Sequence, residues 1–278
     1  MRIYFYNWRS EADIQEEINL LNELKQHGIS VSYPVTDKDG NFIQTLSSPE
    51  GMRYAVLFSF AEGEKMRTMD KETCFSIGSL MAGMHNITFN KTSNRINYNA
   101  QTLLTEPYKH AASFFSEELP EMKFLKQQCD DISCYFESMN LKNIPQGMIH
   151  LDIWYDNMSV KDTSEITIFD FDFCGNGWLV LDVAYFCTQL FHIEANKEEY
   201  ELKLKSFLEG YQSIRKLSED ELNLIPKAGT AIWIFYLGIQ VQRFDWSNVF
   251  LSENYLKLLF AARIKSWVAY YEARKIMS

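Results

Sequence analysis

The sequence contains few cysteines, and none lie at the spacing of a redox or zinc motif. The five cysteines (Cys74, Cys129, Cys134, Cys174 and Cys187) are odd in number and include no C-x-x-C pair, and the five histidines do not cluster with them. This pattern disfavours a disulfide-stapled secreted domain and a zinc module. We interpret the cysteines as reduced core thiols of a cytoplasmic protein.

Excess positive charge and long apolar runs are also missing. The net charge is −10, which disfavours a nucleic-acid-binding protein because such proteins usually carry a basic surface. No apolar run reaches the ~18 residues of a membrane span, and the first residues, MRIYFYNWRSEAD, lack the apolar core of a secretory signal. We therefore expect neither nucleic acid nor a membrane as a partner.

The residues that are present predict a large folded core. Of the 278 residues, 46% are hydrophobic and 15% aromatic, and a prior of about 150 residues per domain predicts two lobes or one large domain. Residues 1–60 combine short apolar runs, turn signals and one helical repeat. They predict a strand at 2–7, a helix from Ser10 to Gly28, a hairpin turning at Asp37–Gly40 and a strand at 53–60.

Helical periodicity dominates from residue 61 onwards. Helices are predicted at 70–86 and 116–140 and through the last ~90 residues. Between them lies a compact group of strands with the sequences GMIHLD, NMSVKD and EITIFDFD. A small mixed lobe at 1–60, followed by a mainly helical lobe at 61–278 with a β insert, predicts a bilobal α+β fold.

The chemically informative segment runs from Met148 to Ala184. His150 and Asp152 form an H-x-D pattern, Asn157 follows after four further residues, and Asp170-Phe171-Asp172 ends a strand-like run. A carboxylate at the end of a buried strand needs a cationic partner, because an unpaired buried charge is very costly. The pattern therefore predicts a cation-binding site.

Phosphoryl transfer gives each of these residues a physical role, because it needs positioned groups and neutralised charge more than covalent help. Asp152 would accept or orient the proton of an incoming hydroxyl. Asn157 could place its amide oxygen on Mg²⁺, while Asp170 and Asp172 would hold the cations that bridge the phosphates. His150 would brace the loop.

Simpler interpretations exist for each residue alone. An H-x-D tripeptide is common by chance, Asn157 could cap a turn, and Asp172 could be an ordinary solvated carboxylate. The joint pattern on strand-like runs is far more specific than any one of its parts.

The segment HLDIWYDNMSV…ITIFDFDFCGNGWLVLDVAYF resembles the aminoglycoside phosphotransferase/choline kinase superfamily. That superfamily carries H-G-D-x-x-x-x-N, a strand ending in D-x-D, and a D-hydrophobic-A helix start, which Asp182-Val183-Ala184 matches. The tail YLGIQVQRFDWSNVFLSENYL is similar to the stress-response kinase A and type II homoserine kinase branch. The resemblance implies a protein-kinase-like fold that uses ATP and Mg²⁺, with a catalytic loop at 148–160 and a metal-binding segment at 166–184.

The resemblance also implies roles for residues outside that segment. Arg2 lies where the superfamily has a cation on the α- and β-phosphates, Glu17 matches its acidic partner, and Phe58-Ser59-Phe60 resembles the hinge that pairs with adenine. Alternatively, Arg2 is a frayed terminal charge and Glu17 a solvated helix position. Asp245 and Trp246 are candidate substrate contacts, or else a helix cap and a core aromatic.

The sequence departs from the superfamily at its start. Two strands and a phosphate-covering loop usually precede the strand that begins here at Arg2, and no G-x-G-x-x-G occurs anywhere. We therefore expect a reduced N-terminal lobe. Three explanations stay open: a misassigned start codon, a site covered by a partner or second subunit, or a chain that has lost catalysis and kept a binding cleft. Exposed strand edges would favour a homo-oligomer.

Three functional hypotheses follow from these residues and this resemblance. The first is an ATP- and Mg²⁺-dependent phosphotransferase that moves the γ-phosphate to a hydroxyl of a small molecule. The acidic composition favours an amino alcohol, an aminoglycoside or an amino acid as the acceptor. The alternatives are a Ser/Thr protein kinase of stress-response type and a non-catalytic binding or regulatory protein on a kinase fold.

Overall fold

The computed structural model describes residues 1–139, 141–244 and 247–277, and the chain forms two compact units. Unit 1 comprises Met1–Ile96, Gln146–Asn176 and Asn196–Lys216, and unit 2 comprises Asn97–Pro145, Gly177–Ala195 and Leu217–Ser278. The lobe boundary predicted between residues 60 and 61 lies inside unit 1, and that division stays a prediction.

Strands are short, and most of the chain is helical. The strands are β1 (Arg2–Ile3), β2 (Pro34–Val35), β3 (Ile43–Ser48), β4 (Gly51–Phe58), β5 (Gln146–Ile149), β6 (Met158–Val160), β7 (Ile166–Ile168) and β8 (Gly175–Trp178). The helices are α1 (Glu11–Gln26), α2 (Lys71–Thr88), α3 (Glu106–Ala112), α4 (Pro120–Ser138), α5 (Val180–Ile193), α6 (Lys197–Ile214), α7 (Glu219–Arg243), α8 (Glu253–Tyr255) and α9 (Ala262–Met277). The predictions of helices near 70–86 and 116–140 and of a helical C-terminal part are confirmed, whereas the strand predicted at 2–7 covers only Arg2–Ile3.

The sheet of unit 1 is organised around β4. Strands β1, β2 and β3 all pair antiparallel with β4, with Arg2 and Ile43 both opposite Val56 and Pro34 opposite Phe58. The predicted hairpin at Asp37–Gly40 is therefore wrong in its pairing. The chain does turn there, but β2 and β3 both pair with β4, and the hairpin joins β3 to β4 instead.

Helix α1 covers this sheet and begins as the sequence predicts. Ser10 and Asp13 form a capping box, in which each side chain bonds the backbone amide of the other residue. The buried side of the helix then places Ile14 and Ile18 in a small core with Tyr4 and Val56. This packing holds the start of the chain against α1.

Helices α2 and α6 cross in close contact at two glycines. A Cβ atom on Gly78 of α2 or on Gly210 of α6 would collide with a backbone carbonyl oxygen of the opposite helix. Met81 and Met84 of α2 are buried in the core. His85 is also buried, and its Nδ1 atom lies 2.7 Å from the hydroxyl of Tyr211.

Strands β6 and β7 form an antiparallel hairpin that positions the predicted catalytic and metal-binding segments. Met158 lies opposite Ile168, and one further bond joins the Phe169 amide to the Asn157 carbonyl at 3.0 Å. The pairing therefore extends to the residues next to the H-x-D…N and D-x-D patterns. The β insert predicted from the sequence is confirmed.

Helix α7 is the central helix of unit 2. By length and composition it could cross a membrane, but 72% of its most apolar stretch is buried inside the structure. The indole of its Trp233 donates to Thr188 of α5 at 3.0 Å, and Trp267 of α9 donates to the Pro226 carbonyl at 2.9 Å. Such contacts are typical of a buried core helix.

All five cysteines are present as thiols, and their interpretation as core residues is wrong for one of them. Cys134 of α4 is exposed, and the other four are buried. Burial raises the pKa of the Cys129 thiol to about 12, and it raises the pKa of the Cys174 thiol to about 12 as well.

Candidate active site

His150 follows β5 directly and joins the predicted catalytic loop to the end of β7. The amide of Asp152 donates to His150 Nδ1 at 3.1 Å, and His150 Nε2 lies 3.1 Å from the Phe169 carbonyl oxygen. Because an amide can only donate and a carbonyl can only accept, these bonds place a proton on Nε2 and none on Nδ1. This ring is fully buried between the loop and the residue that follows β7, and its bracing role stays a prediction.

Asn157 connects the two ends of that loop. Its side-chain nitrogen donates to the carboxylate of Asp152 at 2.7 Å and to the Asp152 carbonyl at 3.0 Å. The bond orients the Asp152 carboxylate and leaves the amide oxygen of Asn157 as an acceptor. Within the residues described, that oxygen accepts no hydrogen bond.

Asp170 lies two residues beyond β7 in a left-handed backbone conformation, with φ 65° and ψ 64°. This region is uncommon for residues other than glycine, and such backbone strain is often found at functional sites. The side chain of Asp170 is 44% exposed, and its Oδ1 atom accepts from Arg2 at 2.7 Å. Because Phe169 pairs with Asn157, Asp170 and Asn157 come from adjacent ends of the β6–β7 hairpin.

Arg2 joins the strand β1 to both α1 and the D-x-D segment. One terminal nitrogen donates to Glu17 and the other to Asp170, each at 2.7 Å, and its guanidinium lies 5.2 Å from the centre of the Phe58 ring. Burial would lower the pKa of Arg2, but the charges of Glu17 and Asp170 outweigh it and raise that pKa. Arg2 is therefore a permanent cation in an ordered position.

Glu17 is a buried partner of that cation. Its side chain is fully buried, and its second oxygen accepts from the Tyr4 hydroxyl at 2.9 Å. Burial raises the pKa of Glu17, while the charge of Arg2 acts in the opposite direction. The alternatives of a frayed Arg2 and a solvated Glu17 are both excluded by these contacts.

Asp172 faces a different group of residues. Arg9 donates to its Oδ1 at 3.0 Å, and Trp8 donates to its Oδ2 at 2.9 Å. Burial would raise the pKa of Asp172, but the charge and hydrogen bonds of Arg9 and Trp8 lower it overall. Both carboxylate oxygens are thus occupied by donors of the chain. In the structure Asp172 belongs to this ion pair, and its predicted metal contact stays a prediction.

The backbone of Ser59 is hydrogen-bonded to the two residues that precede β2. The Ser59 amide donates to the Tyr33 carbonyl at 2.8 Å, and its carbonyl accepts from the Ser32 hydroxyl at 2.5 Å. The amide and the carbonyl of Ser59 are therefore both engaged in hydrogen bonds within the chain. In the described part of the chain, the backbone groups of Phe60 and Ala61 make no hydrogen bond and are free to meet a ligand.

A cavity of about 470 Å³ lies within unit 1 beside these groups. This volume is in the ordinary range of small-molecule and cofactor pockets. All five residues predicted to contact a nucleotide line it, and so does Asp170, whereas His150, Asp152 and Asn157 are not among its lining residues. The lining consists of Met1, Arg2, Glu17, Leu21, Ser32, Phe58, Ser59, Phe60, Ala61, Gly63, Lys65, Ser159, Phe169 and Asp170.

The oxygen atoms at this site fit a hard divalent cation whose remaining ligands are water and substrate oxygens. Across residues 1–139, 141–244 and 247–277, no three His, Cys, Asp or Glu side chains converge as a metal-ligand set. The amide oxygen of Asn157 and the carboxylate of Asp170 remain as candidate ligands, carried by adjacent ends of the β6–β7 hairpin. Mg²⁺ is usually bound by one or two protein oxygens together with waters and phosphates, so this pair fits it chemically.

Several residues around the site were not predicted from the sequence. They include Trp8 and Arg9 at Asp172, Ser32 behind Ser59, and Arg95, which is buried and donates to the carbonyls of Cys174 and Asp13 at 2.8 and 2.9 Å. None of them carries a recognisable motif. Asp245 and Trp246, the candidate substrate contacts, lie outside the described residues.

The sequence is similar to that of known phosphotransferases. Residues 1–217 match the family model of the phosphotransferase enzyme family, APH. Homoserine kinase of Agrobacterium fabrum is 28% identical over 239 residues, a match that covers 84% of this chain and 70% of that protein.

Solved structures confirm the predicted protein-kinase-like α+β fold. A microcompartment-associated aminopropanol kinase superposes with a TM-score of 0.79 at 18% identity, covering 98% of this chain and 85% of the other. An amicoumacin kinase in complex with AMP-PNP, Ca²⁺ and Ami superposes with a TM-score of 0.75 at 21% identity, covering 94% and 78%. At this level of identity the likeness concerns the fold.

Proposed function

Since this chain belongs to the phosphotransferase enzyme family, we propose that it transfers the γ-phosphate of ATP, with Mg²⁺, to a hydroxyl of a small molecule. The observation that carries the proposal is the bonding of Asn157. Its side chain orients Asp152, while its backbone carbonyl binds the residue before Asp170. The groups expected to bind the hydroxyl and the metal are thereby held in one hydrogen-bonded unit.

The cavity of unit 1 supports the nucleotide part of the proposal. The backbone of Phe60 and Ala61 is available for the edge of adenine, and Arg2 supplies a fixed cation for the phosphates. The forked guanidinium suits phosphate oxygens, and its position is held by Glu17 and Asp170, each 2.7 Å from one of its terminal nitrogens.

Asn157 and Asp170 would hold Mg²⁺, which neutralises charge on the phosphates when it is bound. Asp152 would accept a hydrogen bond from the acceptor hydroxyl and orient the oxygen for attack on the γ-phosphorus. His150 would keep the loop in place through its bonds to the Asp152 amide and the Phe169 carbonyl.

The acceptor is proposed to be an amino alcohol, an aminoglycoside or an amino acid. The relatives compared above are kinases of homoserine, aminopropanol and amicoumacin, which favours a small molecule over a protein Ser or Thr. A cytoplasmic location and self-association stay predictions from the sequence.

The first test is thermal unfolding with ATP, with and without Mg²⁺. A ligand that binds only the folded protein at ~100 times its Kd stabilises it by about 2.7 kcal/mol. We expect a Mg²⁺-dependent stabilisation that Asp170→Ala abolishes and that Asp162→Asn, in an exposed turn outside the site, retains.

The second test separates binding from chemistry. Asp152→Asn should keep the Mg·ATP stabilisation but lose phosphate transfer to homoserine, aminopropanol and aminoglycosides, measured by ADP release. Absence of any stabilisation of the natural chain at millimolar ATP would contradict the proposed function. Transfer that survives Asp152→Asn would contradict the role of Asp152.

A further inference from the structure

A second cationic side chain, Lys65, lines the cavity and is held by weaker contacts than Arg2. Four charged side chains line it: Arg2, Lys65, Glu17 and Asp170. Both terminal nitrogens of Arg2 already donate to carboxylates at 2.7 Å. Lys65 instead forms a longer ion pair with Asp156, with 3.4 Å between Nζ and Oδ1. The two cations therefore differ in how firmly they are held.

The backbone that carries Lys65 is clamped to β6. The Glu64 amide donates to the Val160 carbonyl at 3.0 Å, and the Val160 amide donates back to the Glu64 carbonyl at 2.9 Å. Gly63 has a φ of 102°, and a Cβ atom there would collide with the backbone of Val160. The position of the Lys65 Cα atom at the cavity is thus defined by contacts on the main chain.

The side chain of Lys65 is held loosely by comparison. It is 54% exposed, and the side chain of Asp156 is 40% exposed. An ion pair with this exposure contributes little because water screens both charges. The ammonium sits on a flexible four-carbon stem, 5.6 Å from the centre of the Phe169 ring that also lines the cavity. It can therefore leave Asp156 at small cost.

We propose that Lys65 binds the phosphate chain of the nucleotide and releases Asp156 when it does so. This inference rests on the proposed use of ATP. The two cations and two carboxylates of the lining cancel in charge, and Arg2 is already offset by both carboxylates. A phosphate chain adds several negative charges, so Lys65 would supply a second positive charge beside the guanidinium of Arg2. The exchange takes place next to Asn157, because Asp156 is the preceding residue.

Binding measurements on Lys65→Met test the proposal, with Lys161→Met as the matched control. Lys161 is similarly exposed, at 52%, and pairs with Glu62 and Glu165, but it does not line this cavity. By calorimetry we expect Lys65→Met to weaken Mg·ATP binding about tenfold, a change of about 1.4 kcal/mol. The Kd for adenosine should stay unchanged, and Lys161→Met should bind both ligands like the natural chain.

A variant of the partner residue should act in the opposite direction. Asp156→Asn removes the competitor for the ammonium, so we expect it to tighten Mg·ATP binding about threefold, an effect that disappears in the Lys65→Met background. A KM for ATP that rises in Lys65→Met with a much smaller change in kcat would agree with a binding role.

Two results would overturn this inference without contradicting the proposed function. The first is Lys65→Met binding Mg·ATP as tightly as the natural chain, which would make the pair an ordinary solvated one. The second is an equal loss for adenosine, which would place the contact on the nucleoside. Failure of the natural chain itself to bind Mg·ATP would instead overturn the proposed function and this inference with it.

Discussion

Arg2 donates hydrogen bonds to two carboxylates that come from distant parts of the chain, Glu17 in α1 and Asp170 after β7. The resemblance to the superfamily predicted the pairing of Arg2 with Glu17, because both residues match positions of the superfamily's pattern. The pairing of Arg9 with Asp172 could not. Those two residues are 163 positions apart, and no local pattern distinguishes this arginine from a solvated one.

Removing the buried partner of Arg2 should be costly. Glu17→Gln leaves the guanidinium without its buried counter-charge, and loss of one member of a buried pair is strongly destabilising. Because Arg2 is 24% exposed, we expect a smaller loss than for a fully buried pair, about 2 kcal/mol in the free energy of unfolding. Urea unfolding measures it. Glu16→Gln, at a partly exposed site of the same helix where the new side chain keeps an oxygen for the Asn94 hydrogen bond, serves as the control and should change stability by less than ~0.5 kcal/mol.

The Asp172 ion pair should show its contribution in the pH dependence of stability. The pKa of Asp172 is lower in the folded protein than in the unfolded one, where it is about 4. Its stabilisation is therefore present above the unfolded pKa and is lost as the pH falls through the lower folded pKa. Asp172→Asn should be less stable than the natural chain at pH 7, with a difference that shrinks below about pH 4.

Urea unfolding of both proteins at pH 7, 5 and 3.5 checks this expectation. Arg9→Met should remove the same pH-dependent part, since it deletes the other charge. A difference between Asp172→Asn and the natural chain that stays constant across these pH values would assign the effect to packing instead of the ion pair.

At the scale of elements, local signals predicted where helices and strands begin, but not which strands pair. The capping box of Ser10 and Asp13 marked the start of α1 correctly. The Asp37–Gly40 turn was also detected, yet β2 and β3 both pair with β4. Strand pairing depends on contacts between distant segments, which a turn sequence alone cannot specify.

The crossing of α2 and α6 makes a prediction at this scale. Gly78→Ala would place a methyl group against the backbone of α6, and overpacking of this kind costs about 1–3 kcal/mol. We expect a lower thermal midpoint even though alanine favours helix formation. Gly83→Ala in the same helix meets only the flexible end of Ile29, at 3.3 Å, and should be neutral or stabilising. Equal midpoints for the two variants would contradict the crossing.

At the scale of the whole molecule, the chain is a kinase-type phosphotransferase of the α+β class. The family could be predicted because the motif residues that resemble it lie in one contiguous segment, from His150 to Asp172, where their spacing carries information. The surroundings of that segment could not be predicted in the same way. Arg95, for example, is buried against the carbonyls of Asp13 and Cys174, although nothing in its own sequence neighbourhood distinguishes it from a solvated arginine.

The distribution of the cysteines has a practical consequence for experiments. Cys134 is exposed, while Cys74, Cys129, Cys174 and Cys187 are buried. Because the thiolate is the reactive form, a maleimide dye should modify the native chain at Cys134 and spare the buried thiols. A fluorophore or spin label can thus be attached to α4 without engineering a cysteine-free background. Mass spectrometry of tryptic peptides would verify a single modified site.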